Sequence, residues 1–128
     1  MLLRRYMSLL GIGSARIDLT LPKQTYKAGE CIQGYFIIKG GTIDQKAKRF
    51  DCDLVMTERS SGLEKIINTT TILTSKLIHS EEVYKISFTL KIPATVQVST
   101  EEVSYRFKTK LTFKEGVASK DQDSIHII

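Results

Sequence analysis

The sequence predicts an antiparallel β-sandwich, and three observations carry that expectation. Seven short segments of alternating apolar and polar residues recur at intervals of about a dozen residues. Turn residues separate them. After Gly13 no stretch shows the 3.6-residue apolar spacing of a long helix. A closed barrel is the lesser alternative.

The elements follow in order. Leu3, Tyr6, Met7 and Leu10 lie at helical spacing, which predicts one or two turns of amphipathic helix before Gly11 and Gly13 end it. Ile17, Leu19 and Leu21 alternate with polar residues and stop at Pro22. Ile32, Phe36 and Ile38 share one face of the second strand, and Phe50, Cys52, Leu54 and Met56 one face of the third. A turn at Ser60-Ser61-Gly62 leads into Glu64 to Thr74, whose β-branched residues favour extended structure. Its alternation is weak, as an edge strand tolerates. Tyr84, Ile86, Phe88, Leu90 and Ile92 then alternate up to Pro93, and Val103, Tyr105, Phe107, Thr109, Leu111 and Phe113 do the same. Asp121-Gln122-Asp123 reads as a turn before a short last strand, Ser124 to Ile128.

The 128 residues fit one domain, divided into a short amphipathic segment, 1–14, and a sandwich, 15–128. With 41% hydrophobic and 26% charged residues, the composition is that of an ordinary globular chain. The net charge of +5 is concentrated in two acid-free stretches: residues 1–16 hold Arg4, Arg5 and Arg16, and residues 103–114 hold Arg106, Lys108, Lys110 and Lys114. Those seven charges exceed the net, so the basic character is local. If the strands around 31–39 and 50–58 form a hairpin, Cys31 faces about residue 57, too far from Cys52 for a bridge. Both cysteines then read as free thiols in a reducing compartment. The apolar run at the N-terminus is short and interrupted by Arg4 and Arg5, unlike a signal peptide, and no segment is long enough to span a membrane. The expected location is the cytoplasm.

Several elements together resemble a known family. Gly11-Ile12-Gly13-Ser14-Ala15 precedes the first strand; Tyr26 stands with Gly29-Glu30; Gly34 lies inside the second strand; and Gly40-Gly41 with Gln45 follows it. Phe88 to Pro93, Tyr105 to Leu111 and Asp121-Gln122-Asp123 complete the series. In order and spacing these are similar to the N-terminal half of the bacterial sporulation-control (SpoOM) family. That resemblance implies an arrestin-like, immunoglobulin-like sandwich, the first of two in tandem. The sequence points to no cofactor. Family members continue into a second sandwich, whereas this sequence stops at Ile125-His126-Ile127-Ile128, where the connection would begin. The face that would meet the second half could then expose apolar groups and favour self-association. The glycines also have physical readings of their own: Gly29 as a positive-φ turn residue, Gly34 as a close backbone approach or a bulge, and Gly40-Gly41 as a tight exit from a strand.

Catalytic chemistry finds no support in the sequence. His79 and His126 have no ligand-spaced Cys, Asp or Glu, so no metal is expected. Ser14, Ser60 and Ser61 lack a nucleophile-elbow setting, and Glu81-Glu82 and Glu101-Glu102 are adjacent pairs whose side chains diverge. Gly11 to Gly13 follows a predicted helix and precedes a strand, the reverse of a phosphate loop.

The candidate binding residues are Arg106, Lys108 and Lys110, two apart and about 7 Å from one another on the face opposite Tyr105 and Phe107. Such a stripe either binds an anionic partner or solvates a sheet face. Arg4 and Arg5 beside Leu2 and Leu3 allow peripheral contact with an anionic membrane. The Thr-rich segment 68–75 could add a partner's strand.

The expectation is therefore a non-enzymatic, arrestin-like regulatory or scaffold protein that binds other proteins, as the family resemblance implies. The alternative is a basic-patch module for nucleic acid or anionic lipid. Nucleic acid is disfavoured, because no aromatic interleaves with the lysines on their own face.

Overall fold

A computed structural model of the chain describes residues 13–128. The helix predicted over residues 3–10 lies outside them. The described strands are β1 (Arg16–Thr20), β2 (Thr25–Tyr26), β3 (Cys31–Lys39), β4 (Gln45–Glu58), β5 (Glu64–Leu73), β6 (Leu77–Ile78), β7 (Val83–Lys91), β8 (Val103–Phe113) and β9 (Ala118–Ile127). They form two layers. One sheet has the order β1-β3-β7 and the other β2-β9-β8-β4-β5, with β6 pairing the start of β4. The pairings are antiparallel except for the short parallel contact of β2 with β9.

The period-2 pattern explains both layers. Ile17 and Leu19 of β1, Ile32, Phe36 and Ile38 of β3, and Phe88 and Leu90 of β7 are all buried. Facing them are Phe50, Cys52 and Leu54 of β4 and Tyr105, Phe107, Leu111 and Phe113 of β8. Four phenylalanines join the sheets through the middle. Phe36 stacks on Phe50 with centroids 5.7 Å apart and meets Phe88 at 5.1 Å, and Phe88 meets Phe107 edge-on at 5.8 Å.

The expected hairpin between 31–39 and 50–58 does not form. β3 pairs with β1 and β7, whereas β4 pairs with β5 and β8 in the opposite sheet. The chain crosses between layers at residues 40–44, and that crossing accounts for the glycine pair. A methyl on Gly41 would strike the Gly13 carbonyl oxygen and the Ser14 carbonyl carbon, and the same backbone contact is closed by Thr42 N–H donating to Gly13 O at 2.9 Å. Gly34 marks a close approach rather than a bulge: it sits in unbroken register with Phe88, and a methyl there would lie 2.5 Å from Thr20 O. Gly29 adopts φ 82, the turn conformation expected of it.

Two strands begin earlier than predicted. β4 extends back to Gln45, with an irregularity between Ala47 and Arg49 that turns Ala47 and Phe50 to the same interior despite their odd spacing. β9 starts at Ala118, so Asp121-Gln122-Asp123 lies within a strand and not in a turn. Its pairing with β8 is continuous from Thr112↔Ala118 to Tyr105↔Ile125.

Placing the two cysteines in different sheets also separates their chemistry. Cys31 is exposed at the start of β3, whereas Cys52 is buried beside Thr109, and burial pushes its thiol up to about 12. Because the thiolate is the nucleophile, a maleimide should label one thiol per native chain, at Cys31, and two after denaturation. Mass spectrometry of the labelled peptides checks this; rapid native labelling of Cys52 would contradict the fold around it.

Candidate interaction surface

The sandwich leaves two broad outer faces and two lateral seams. At one seam β9 reaches the open edge of β1: Ser119 Oγ accepts from Ile17 N–H at 3.1 Å, and Asp121 Oδ2 accepts from Leu19 N–H at 3.0 Å. Buried Gln45 extends this line, its Oε1 accepting from Ala15 N–H at 2.7 Å. At the other seam β5 reaches the edge of β7, with Asn68 Nδ2 donating to Lys91 O at 2.8 Å and Thr70 Oγ1 to Thr89 O at 3.2 Å. Unpaired edge groups are thus satisfied by side chains of the opposite layer. The predicted edge position of the Thr-rich segment holds, and the Asn68 and Thr70 side chains satisfy carbonyls of β7 across the seam.

The predicted basic stripe lies on the outer face of the larger sheet, as its spacing requires. It is not a bare ribbon of positive charge. Arg106 and Lys108 converge on one carboxylate, Glu64 of β5, with Lys108 Nζ at 2.8 Å. Lys108 and Arg106 hold the Glu64 carboxyl below the usual range. Asp53 stands opposite Lys108 and Asp51 opposite Lys110 across β4, and Thr69 and Thr71 donate to those two aspartates. Burial alone would raise the Asp51 carboxyl, but Arg49, at 2.8 Å, and Thr71 outweigh it and lower it. The result is a shallow groove of about 530 Å³ lined by alternating charge, including Arg49, Asp51, Asp53, Lys108, Lys110 and Lys120. Arg4 and Arg5 lie outside the described residues.

A second polar cluster escaped the sequence reading. Asp18, Asp121 and Asp123 bring carboxylate oxygens within 4.8 Å of one another at the β1–β9 seam. Burial first, and then the neighbouring Asp121 and Asp18, push the Asp123 carboxyl up to about 7. Asp18 is raised in the same way, by burial and by Asp121. Asp123 Oδ2 is buried without a donor, and a proton held between carboxyls supplies one. The cluster thus gathers three carboxyls at the β1–β9 seam, with the Asp123 carboxyl raised by burial and by its neighbours. No linear spacing could reveal it, because Asp18 is a hundred residues away from its partners. His79 lies 3.6 Å from the Asp44 carboxylate, and both are exposed.

Two antiparallel sheets, joined by a phenylalanine core and sewn along both seams, define an immunoglobulin-like sandwich of the arrestin type. The sequence model of the SpoOM protein family matches residues 3–128, and the chain belongs to that family. Over 123 residues it is 28% identical to the sporulation-control protein Spo0M of Bacillus subtilis (strain 168), covering 91% of this chain and 48% of the relative. It superposes on the crystal structure of Spo0M from Bacillus subtilis with a TM-score of 0.80 at 27% identity, covering 91% of this chain and 50% of that one. The chain thus spans about half the length of the relative it matches. Among the described residues no helix is long and apolar enough to cross a membrane.

Proposed function

We propose that the domain is a non-enzymatic regulatory scaffold that acts by binding another protein, in control of sporulation or a related differentiation step, in the cytoplasm. Membership of the SpoOM family supports the process, and the name of the Bacillus subtilis relative carries it. The observation that most favours protein recognition is the outer face of the larger sheet. Arg106 and Lys108 are held by Glu64, and Asp51 and Asp53 stand opposite Lys110 and Lys108, a mixed charge pattern that suits a polar protein surface better than the uniform negative charge of nucleic acid or anionic lipid.

Affinity capture with the tagged protein from its native lysate, after nuclease and detergent treatment, tests this reading. A discrete protein recovered in near-stoichiometric amount is the expected result. Recovery of nucleic acid or lipid alone from an untreated lysate, with no protein, would overturn it.

A further inference from the structure

The smaller sheet gathers cations on its outer face. At one end of its outer face Arg16 of β1 stands directly opposite Lys39 of β3, and Lys85 of β7 stands opposite Ile37. Arg16, Lys39 and Lys85 are exposed, and none of them makes an ion pair among the described residues. Like charges directly opposed on a sheet repel each other, and here only Asp18 feels the Lys39 charge as an opposite one on the same face. Asp18 is the one acid on the outer face of these three strands, and its carboxyl gathers with Asp121 and Asp123 at the seam. Glu81 sits at the rim beside Arg16 and Lys39. Next to the cations, Tyr35 is 41% exposed with Lys85 Nζ 3.8 Å from its ring centroid, and Ile37 is half-buried.

We propose that Arg16, Lys39 and Lys85, with Tyr35 and Ile37, form the docking face for an acidic segment of a protein partner. This rests on the protein-binding reading above and adds to it a second face, on the smaller sheet, with a partner chemistry of its own. The charges complement two or three closely spaced carboxylates, because directly opposed side chains on a sheet are about 5 Å apart at Cβ. A tyrosine held under an ammonium group and a flush isoleucine supply the apolar contact that protein interfaces place beside arginine. A membrane surface fits less well, since the apolar side chains beside the cations, Tyr35, Ile37 and Val83, are few and form no continuous apolar face to enter the lipid. Single-stranded nucleic acid also fits less well, because the one aromatic face present is occupied by Lys85.

Isothermal titration calorimetry reads the binding. The probe is a deca-glutamate peptide at low ionic strength. Wild type should bind it with an affinity that falls as salt rises, and Lys39→Glu/Lys85→Glu should weaken it at least about tenfold. Lys108→Glu/Lys110→Glu on the other sheet should change it less than about twofold. The neutral pair Lys39→Gln/Lys85→Gln should fall between, which keeps the test valid should the double reversal fold poorly. Equal loss in both sheet variants, or binding of anionic vesicles or single-stranded DNA without the peptide, would overturn the proposal. The two readings also fail separately. A captured partner that Lys39→Glu/Lys85→Glu still retains would remove this face and leave protein binding intact, whereas wild type that captures no protein removes both.

Discussion

Phe88→Ala is expected to destabilise the domain by about 3–5 kcal/mol, against a total of about 5–15 kcal/mol for a domain of this kind. The ring is 2% exposed and contacts phenylalanines of both layers, Phe36 at 5.1 Å and Phe107 at 5.8 Å with the planes at 88°. Removing it loses the transfer energy of a buried aromatic and leaves a void between sheets whose backbones are pinned by their ladders, so collapse around the gap is limited. Edge-to-face geometry contributes about 0.5–1.5 kcal/mol beyond area. Phe88→Leu fills most of the volume and should cost markedly less. Urea unfolding followed by circular dichroism measures both. A loss below about 1 kcal/mol for the alanine variant would mean that the sheets are held together elsewhere, with the buried aliphatic side chains as the next candidates.

This core was legible because alternation reports which side chains point inward. It does not report which strand lies alongside. Phe36 and Phe50 were each placed on an interior face correctly, yet their strands belong to opposite sheets, joined by an inter-layer crossing that a hairpin reading overlooks. Alternation also fails where local chemistry overrides it. Lys48 and Arg49 are consecutive exposed cations at the irregularity in β4, and they hide the strand that precedes Phe50. Ser119, Asp121 and Asp123 turn toward the interior side of β9 but meet the edge of β1, not apolar core, so a polar run that resembles a turn is a strand.

The candidate surfaces follow the same logic. The spacing of Arg106, Lys108 and Lys110 gave the correct face, because three alternate residues on one strand must share a side. Their neutralisation was invisible, since Glu64 and Asp53 reach them only through strand pairing. Conversely, Arg16, Lys39 and Lys85 lie in three separate segments and become neighbours only once β1, β3 and β7 are known to be adjacent. Clusters built across a sheet depend on its strand order, which residue spacing along the chain does not contain.

The domain should be more stable near pH 4–5 than at pH 8, and Asp123→Asn should remove much of that difference. The folded-state carboxyl of Asp123 is raised to about 7, well above the ordinary carboxyl range, by burial and then by Asp121 and Asp18. A raised carboxyl favours the protonated fold. Below the unfolded value both states carry the proton and the full contribution is present. As pH climbs from about 4 to about 7, the unfolded chain ionises while the fold holds its proton, so stability is lost through that window and stays lost above it. Three pH units of difference correspond to at most about 4 kcal/mol. Partial solvent access to the side chain reduces the effect to about 1–2 kcal/mol. Asp18 shifts in the same direction for the same reasons, burial and Asp121. Glu30, Asp44, Asp51, Glu64 and Glu102 are lowered instead, so their contributions are present above the unfolded carboxyl range and are lost as pH falls below it, which sets the acid limit of the optimum. An amide at position 123 donates to Asp121 at every pH. Asp123→Asn should therefore match wild type at pH 4 and exceed it at pH 8, with Asp121 still holding Leu19 N–H. Denaturant midpoints across pH 4–9 decide the matter: a variant less stable than wild type at pH 8 would show that the fold tolerates a charge at Asp123 and that its carboxyl is not raised by the cluster.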